Sequence, residues 1–366
     1  MAALAADGRT AAAVEQATVD TIIDRLAARV AARVAAGGPA RLDVLVLSGG
    51  GQNGAYGAGF LRAWKDRADD PMPTFDLITG ISTGTLQSPY ALIGTTAALD
   101  TLVALYRRSA EAIAPTFDWW FWLRKTGGLV NATRFRRTIE QQMDGPFADQ
   151  LRTEFAAGRQ LAIGTSDFDL GIGRTWDLSR EIGPRGTAPT RVHDLLIGAT
   201  AIPGIFPPIV IDGHVHADGG VIANALPLLD VAGYRRLGER LRARGVSGPV
   251  TVRVNAIWNL WTHADLQVLR PSNRKAMKSR GDFLLFWSAQ PALIARLHET
   301  ADAVRGAVPG VLLEVRHTQI PAALATEPGA SKLFDGAWMR RLEQVGRERA
   351  LSAAPWDSVP SAYRRP

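Results

Sequence analysis

The sequence predicts an α/β protein: a three-layer α/β/α sandwich with a mostly parallel central sheet. Short apolar runs, typical of buried strands, alternate with longer segments whose apolar residues recur at helical spacing. This alternation favours a parallel sheet, because each crossover helix covers one face of the sheet. Two glycine-rich turns at strand-to-helix junctions support the same class, since ligands of such folds bind at the carboxyl ends of the strands.

The individual elements follow from these patterns. Residues 42–47, LDVLVL, predict the first buried strand, and residues 55–65 predict the helix after it. Residues 75–81, FDLITGI, predict the second strand. Further strands are predicted at residues 160–171 and 251–258, and further helices at residues 283–307 and 337–352.

The first 41 residues predict a helix and a linker that precede the main domain. Over residues 11–36 the apolar residues form one helical stripe with arginines beside it. The stripe consists of Val19, Ile22, Ile23, Leu26, Val30 and Val34, and the arginines are Arg25, Arg29 and Arg33. We expect the stripe to pack on the protein body, with an interfacial membrane anchor as the alternative. One large domain over residues 42–350 and a tail over residues 351–366 complete the predicted organisation.

Length and composition indicate a soluble, globular protein. The 366 residues are 46% hydrophobic and 21% charged. No uninterrupted apolar run approaches the ~20 residues that a membrane-spanning helix needs. The N-terminus also lacks the charged and apolar regions of a signal peptide. These features predict a cytoplasmic protein, or one that contacts a membrane peripherally.

The net charge is modestly basic. Lys and Arg number 42 against 35 Asp and Glu, which gives +7. The cations are diffuse and no nucleic-acid-binding module is recognisable, so we expect no nucleic-acid partner. Affinity for anionic lipid surfaces is the favoured interpretation, with a solvated basic surface as the alternative. The chain has no cysteine, which excludes disulfides, thiolate nucleophiles and cysteine–zinc sites.

Three consecutive glycines, Gly49, Gly50 and Gly51, stand in LSGGGQNGAYGAGFL between the first strand and its helix. A strand-to-helix turn directs unpaired backbone N–H groups and the positive end of a helix toward one point. The turn is therefore predicted to bind negative charge, either permanent or transient. Gly49, Gly51 and Gly54 match the dinucleotide pattern GxGxxG. The alternative is an oxyanion hole, which binds charge that develops in a transition state.

The next strand-to-helix turn favours the second interpretation. A dinucleotide site needs an acidic residue at the end of the second strand, and Asp76 stands at its beginning. The end of that strand reads GISTG and matches the nucleophile pattern GxSxG. Gly80 and Gly84 provide the small residues that the tight turn requires, and Ser82 is the candidate nucleophile.

The histidines offer no clear base for Ser82. They are His193, His214, His216, His263, His298 and His317. His214 and His216 alternate along a predicted strand and share one face, but only acidic residues are near as further ligands. We therefore predict no metal site, and we interpret the histidines as ordinary surface or core residues.

Asp218 is the better-placed candidate, in HADGGVIANALP, where a strand ends and two glycines follow. Backbone can approach closely at such a turn. The alternative is an ordinary Asp-Gly turn, in which the carboxylate bonds its own backbone.

Four motifs in order carry a family resemblance. SGGGQNGAYGAGFL, GISTG, AIPGIFPP and DGG together resemble the patatin-like phospholipases, lipid acyl hydrolases with a serine–aspartate dyad. The resemblance covers residues 42–225, and the remainder of the family's core would extend to about residue 350. It implies the patatin-like form of the α/β/α sandwich for the large domain.

The resemblance also implies roles for single residues. Ser82 becomes the nucleophile, and Asp218 becomes the base that accepts its proton. The oxyanion hole is assigned to the backbone N–H groups of Gly49, Gly50, Gly51 and Thr83. The remaining motif glycines are Gly54, Gly219 and Gly220, and Gly80 and Gly84 flank the nucleophile.

The implied function is hydrolysis of carboxylic esters of lipids through an acyl-Ser82 intermediate. No cofactor is expected, since the chain has no EF-hand loop or comparable acidic cluster. The chain departs from the family at Asn53, where the family usually has Arg or Lys. An amide offers only a neutral donor, which weakens the inference of a charged phospholipid substrate.

A dense aromatic segment and two other functions complete the predictions. Residues 115–129 contain Trp119, Trp120 and Trp122 followed by two cations, which suits a lid or a peripheral membrane contact. Burial in the core is the alternative for this segment.

The alternative functions are a nucleotide-binding protein that uses the glycine loop and a lipid-binding protein without turnover.

Overall fold

A computed structural model of the chain describes residues 2–112, 133–262, 264, 267–332 and 334–358. Its strands are β1 (Arg41–Leu47), β2 (Leu77–Ile81), β3 (Gln160–Asp167), β4 (Ile172–Asp177), β5 (Ile209–Ile211), β6 (His214–Asp218), β7 (Val250–Trp258) and β8 (Val311–Gln319). They form one sheet in the order β5-β6-β3-β2-β1-β7-β8, and β4 also pairs with β3.

The helices surround this sheet. They are α1 (Ala2–Ala35), α2 (Gly54–Lys65), α3 (Thr83–Ile93), α4 (Thr96–Ala112), α5 (Thr133–Gln142), α6 (Gly145–Ala156), α7 (Leu178–Glu181), α8 (Thr190–Ala199), α9 (Val231–Ala243), α10 (Arg274–Ala307) and α11 (Gly336–Leu351). No helix within the described ranges is long and apolar enough to span a membrane.

The predicted three-layer sandwich is confirmed. Strands β3, β2, β1, β7 and β8 are parallel, whereas β4, β5 and β6 pair in antiparallel fashion. The crossover through α2 leads from β1 toward β2, and the crossover through α10 leads from β7 toward β8, in the opposite direction. Right-handed crossovers that proceed in opposite directions place their helices on opposite faces of the sheet. Strand order reverses between β1 and β7, a position where open α/β sheets bind ligands.

Strands β2 and β6 meet end to end along one edge of β3. Ile81 of β2 pairs with Gly164, and Asp218 of β6 pairs with Thr165, the next residue. The other edge of β3 is occupied by β4 over the same residues. Because β2 runs parallel to β3 and β6 runs antiparallel, their carboxyl ends face each other. This topology brings the two predicted motifs together.

Helix α1 is longer than the periodicity predicted, since it begins at Ala2 rather than at residue 11. Four of the nine residues from position 2 to position 10 are alanine, which favours helix without adding apolar periodicity. The stripe residues Ile22 and Leu26 are buried. Arg29 Nε lies 2.6 Å from Asp76 Oδ1, and Arg33 also pairs with this buried carboxylate. The helix thus packs on the amino-terminal edge of the sheet.

Helix α10 also begins earlier than predicted, at Arg274 rather than at residue 283. The Asn273 side chain caps its first turn by accepting a hydrogen bond from the Ala276 N–H at 3.0 Å. Helical periodicity in apolar residues missed this part because its side chains are mainly polar or charged. The tail includes Trp356, whose ring lies against Phe60 and Trp64.

Candidate active site

Ser82 lies on a strained turn between β2 and α3. Its backbone has φ 51° and ψ −122°, a region that costs a residue with a side chain about 1–3 kcal/mol. Because the turn directly follows the last residue of β2, Ser82 lies at the carboxyl end of the sheet. Only 6% of Ser82 is exposed, so the residue is largely shielded from bulk solvent.

The two glycines around Ser82 are needed because the backbone approaches itself closely. A Cβ on Gly84 would lie 2.3 Å from the carbonyl oxygen of Leu47, at the end of β1. A Cβ on Gly80 would lie 2.6 Å from the carbonyl oxygen of Gly84. Real Cβ atoms do not tolerate such distances from rigid backbone. The GxSxG spacing is thus a steric requirement of this turn.

Asp218 accepts a hydrogen bond from Ser82. The distance from Ser82 Oγ to Asp218 Oδ2 is 2.6 Å. The other carboxylate oxygen, Oδ1, accepts the Gly220 N–H at 2.8 Å, and the Asp218 N–H donates to the Ala201 carbonyl at 2.9 Å. Ser166 Oγ donates to the Asp218 carbonyl at 2.9 Å. The carboxylate is therefore held by contacts on several sides and has little freedom to turn away.

Burial changes the acidity of Asp218. Desolvation raises the pKa of its carboxyl group to about 6, against the opposing effect of the hydrogen bonds from Ser82 and Gly220. No positively charged side chain among the described residues lowers the pKa of Asp218, so the effect of burial is larger than that of the hydrogen bonds. A carboxylate with this pKa is a stronger base than an exposed aspartate and is still ionised at neutral pH.

The glycine loop, residues 49–51, lies against Ser82. Among the described residues, one of its backbone N–H groups is hydrogen-bonded within the protein, and the others are not. The Gly49 N–H donates to the Asn224 carbonyl at 3.0 Å. The N–H groups of Gly50, Gly51 and Thr83 donate to no residue in the part of the chain that the structure describes. Gly51 has φ 56°, which favours glycine, and it lines the same cavity as Ser82 and Thr83.

The remaining motif glycines occupy crowded positions. A Cβ on Gly54 would lie 2.2 Å from Thr83 Oγ1, and one on Gly219 would lie 2.5 Å from the Gly164 carbonyl oxygen. Gly220 supplies the amide that bonds Asp218. These glycines allow the two turns and the end of β6 to approach one another.

Three buried amide side chains support this arrangement and escaped the sequence analysis. Asn259 Nδ2 donates to the Ser48 carbonyl at 2.9 Å, and its Oδ1 accepts the Gly57 N–H at 3.1 Å. Gln87 Nε2 donates to the Gly54 carbonyl at 2.7 Å. Asn224 Nδ2 donates to the Gly49 carbonyl at 3.5 Å, and the Asn224 backbone carbonyl accepts the Gly49 N–H. Asn259 could have been identified from its position in the sequence, because it directly follows β7 at the carboxyl edge of the sheet.

Asn53, the departure from the family motif, points away from the cavity. Its Oδ1 accepts a hydrogen bond from Trp338 Nε1 at 2.9 Å, and the residue is 7% exposed. The neighbouring Gln52 holds the segment before α11, because its Oε1 accepts the Asp335 N–H at 2.9 Å. Both side chains therefore anchor the glycine loop to α11.

Each histidine that the structure describes has a partner other than Ser82. His193 contacts the Met143 carbonyl, and His298 contacts His317. His214 bonds Asp167, and His216 bonds Thr165. His263 lies outside the described residues. No cluster of acidic or histidine side chains within the described ranges has the arrangement of a metal site.

Asp76 lies far from the position that a dinucleotide site requires. It stands at the amino end of β2, pairs with Arg29 and accepts the Asp43 N–H at 3.0 Å. Ser82, by contrast, follows the carboxyl end of the same strand. The acidic residue is therefore structural and does not face the glycine loop.

Two adjoining apolar cavities extend from the nucleophile. The first contains Ser82 and is lined further by Ile202, Phe206, Phe334 and Met339. The second lies between α3, α4, α5 and α8 and is lined by residues such as Tyr90, Leu102, Leu105, Ile139, Met143 and Leu196. Leu86, Tyr106 and Phe135 line both cavities. The tryptophans Trp119, Trp120 and Trp122 lie outside the described residues.

Comparison with known proteins places these motifs in a family. The family model described as Patatin-like phospholipase matches residues 45–232. Among solved structures, VipD from Legionella pneumophila is similar at 12% identity, with coverage of 84% of this chain and 68% of that chain and a TM-score of 0.32. A comparison with curated proteins finds no match.

Proposed function

Because the chain belongs to the patatin-like phospholipase family, we propose that it hydrolyses carboxylic esters of lipids with Ser82 as nucleophile and Asp218 as base. One observation carries the proposal: Ser82 Oγ lies 2.6 Å from Asp218 Oδ2 in a buried site. A nucleophile and its base must be within hydrogen-bond reach, and burial strengthens the electrostatic effects that act on them. The family supports a lipid substrate.

The proposed reaction has two halves. In the first, Asp218 accepts the Ser82 proton while Oγ attacks the ester carbonyl, which forms a tetrahedral oxyanion. The C–O bond to the alcohol then breaks, and the alcohol oxygen takes the proton from Asp218. In the second half, Asp218 takes a proton from water, the resulting hydroxide attacks the acyl-Ser82 carbonyl, and Oγ leaves with that proton. The products are the free alcohol and the carboxylic acid.

The acidity of Asp218 suits this role. Deprotonation of a serine hydroxyl by an ordinary aspartate is unfavourable, because the carboxylate is too weak a base. Burial raises its pKa to about 6 and narrows this gap. General base catalysis works best when the pKa lies near the working pH.

The oxyanion is proposed to bind at the glycine loop. Gly51 and Thr83 line the cavity that contains Ser82, and Gly50 directly precedes Gly51. The Gly49 amide is bonded to Asn224, so its contribution is to position the loop. In comparable sites one such donor contributes about 3 kcal/mol to transition-state stabilisation.

The lining of the two cavities supports an acyl group as their occupant. Most of the lining side chains are apolar, and the cavities share Leu86, Tyr106 and Phe135. Each methylene of an acyl chain that leaves water for such a surface gains about 0.8 kcal/mol. An acyl chain that starts at Ser82 would thus extend between α3, α4 and α5. The headgroup and the bond position within the lipid are not part of the proposal.

The two other functions are less well supported. A dinucleotide would need an acid at the carboxyl end of β2, and Asp76 is at the amino end and paired with Arg29. A lipid-binding protein without turnover would not require a hydrogen bond between Ser82 and Asp218.

Hydrolysis of p-nitrophenyl esters by the wild type, Ser82→Ala and Asp218→Asn tests the proposal. We expect turnover in the wild type and a loss of at least about 10²-fold in each variant, with unchanged far-ultraviolet circular dichroism. His214→Asn and His298→Asn serve as controls and should retain activity. Full activity of Asp218→Asn, or a comparable loss in a histidine variant, would refute the dyad.

A further inference from the structure

The first half of α10 extends beyond the sheet on the side of the candidate active site. The helix has 34 residues, about 51 Å of length, whereas β8 has 9 residues and spans about 30 Å. Gln290 Oε1 accepts a hydrogen bond from Asn224 Nδ2 at 2.7 Å, and the Asn224 carbonyl holds Gly49. Gln290 therefore lies level with the glycine loop, and residues 274–289 form about 24 Å of helix before that level.

This part of the molecule exposes large apolar side chains. The exposed fractions are 100% for Val268, 46% for Met277, 38% for Phe283, 44% for Leu284 and 74% for Leu285. Most soluble surfaces carry such residues singly, whereas here they concentrate within eighteen residues of chain. Met277 and Leu284 are two helical turns apart and share one face, and Leu285 lies about 80° round the helix from Met277.

Cations surround the apolar stripe. Residues 267–285 contain a single acid, Asp282, and five cations: Arg270, Arg274, Lys275, Lys278 and Arg280. Lys278 pairs with Asp282 at 2.6 Å, so a clear positive excess remains. By helical geometry Arg274 and Arg280 flank Met277 and Leu284, at about 60° to either side of Met277. An apolar stripe between cations is the pattern of helices that lie in a membrane interface.

The base of this segment is rigidly joined to the active-site edge. The Trp287 ring stacks on Trp261 with a centroid distance of 5.2 Å and an interplanar angle of 12°. Trp261 follows shortly after Asn259, which supports the glycine loop. A surface that binds at residues 267–285 would therefore hold the candidate active site at a fixed distance and orientation.

We propose that residues 267–285, called the α10 surface below, dock the protein on an anionic lipid surface. Charge complementarity selects anionic lipid over a neutral membrane, because each cation near such a surface strengthens binding about fivefold. Met277, Leu284 and Leu285 would enter the boundary between headgroups and acyl chains. The function of this docking, delivery of ester substrate to Ser82, rests on the proposed hydrolase activity; the docking itself does not.

Co-sedimentation with vesicles tests the α10 surface. The full chain with Ser82→Ala is mixed with vesicles of phosphatidylcholine, with and without phosphatidylglycerol, so that binding is measured without turnover. In this background Met277→Glu with Leu284→Glu should weaken binding to the anionic vesicles at least about tenfold. Leu312→Glu is the matched control, since Leu312 is 47% exposed at the other end of the sheet and should leave binding unchanged.

The electrostatic part has its own pair of variants. Arg274→Glu should weaken binding to the anionic vesicles at least about fivefold and have little effect on phosphatidylcholine. Arg235→Glu makes the same change on exposed α9 and should have no comparable effect. Added salt should weaken wild-type binding, because screening acts on exposed charges.

Two results would overturn the inference. The first is that the protein does not bind the anionic vesicles. The second is that the Leu312→Glu control loses as much vesicle binding as the α10 variants. A loss of self-association in the Met277→Glu, Leu284→Glu protein, measured by sedimentation velocity without any change in vesicle binding, would instead assign the surface to a second copy of the chain. Ester hydrolysis without vesicle binding would refute the docking alone; vesicle binding in a protein that hydrolyses no ester would refute the proposed function alone.

Discussion

Ser82 and Asp218 approach each other from opposite directions along the same edge of β3. Ser82 directly follows β2, whose last residue pairs with Gly164, and Asp218 ends β6 opposite Thr165. The meeting of the two strand ends brings Ser82 Oγ within 2.6 Å of Asp218 Oδ2, although 136 residues separate them in the chain. The pair is therefore positioned by backbone pairing as well as by its own hydrogen bond.

The activity should depend on the ionisation of Asp218. Burial raises the pKa of this group to about 6, and only the ionised form can accept the Ser82 proton. We expect kcat/KM for a soluble ester to rise from about pH 5 to about pH 7 and then remain level. The pH profile of the wild type checks this. A profile that is flat over this range, or one whose inflection moves in a histidine variant, would contradict the assignment.

Because its pKa is raised, Asp218 should destabilise the folded protein at neutral pH. Between its unfolded pKa near 3.8 and its folded pKa of about 6, the folded protein binds more protons than the unfolded chain. The contribution of Asp218 to stability is most favourable below the unfolded pKa, and it is lost as pH rises through the folded pKa. The cost above about pH 6 is on the order of 3 kcal/mol.

Asp218→Asn tests this cost, because an amide does not titrate. The variant should unfold at a higher denaturant concentration than the wild type at about pH 8, and the difference should shrink toward about pH 4. Chemical denaturation at several pH values measures it. A variant that is less stable than the wild type at every pH would show that Asp218 stabilises the fold instead.

Gly84 should tolerate no side chain. A Cβ there would lie 2.3 Å from the Leu47 carbonyl oxygen, so Gly84→Ala should destabilise the protein by at least about 2 kcal/mol. Gly8→Ala is the matched control, since Gly8 lies in α1 with no atom within 4 Å of the added Cβ. It should stabilise slightly, by about 0.5–1 kcal/mol. Equal melting temperatures for both variants would argue against the close turn.

Leu86 should control the length of acyl chain that the protein accepts. It lines both apolar cavities, so Leu86→Trp would narrow their junction. We expect kcat/KM to fall more for long-chain than for short-chain p-nitrophenyl esters. Val210→Trp, at a position that is 65% exposed on β5, is the control. A uniform loss over all chain lengths in Leu86→Trp would place the acyl chain elsewhere.

The sequence predicted the parts of the site that local geometry determines. Gly80 and Gly84 are required by one tight turn, and the strand-to-helix position of Ser82 follows from apolar patterning. For Asp218 the spacing alone favoured an ordinary Asp-Gly turn, because its partner Ser82 is distant in the chain. Family resemblance supplied that pairing.

The contacts that depend on tertiary packing could not be predicted from the sequence. The engagement of the Gly49 amide by the Asn224 carbonyl joins two segments that only the fold brings together. Asn259 and Gln87 are buried amides whose roles arise from their distance to the glycine loop. The early start of α10 was missed because periodicity responds to buried apolar faces, and this part of the helix faces solvent.

The central claim is that Ser82 is a nucleophile activated by Asp218. Intact-protein mass spectrometry after treatment with a fluorophosphonate tests it most directly, with wild type, Ser82→Ala and Asp218→Asn compared. We predict a single adduct on Ser82 in the wild type, none in Ser82→Ala and strongly slowed labelling in Asp218→Asn. Labelling of Ser82→Ala to the wild-type extent, or no adduct in a folded wild type, would contradict the account.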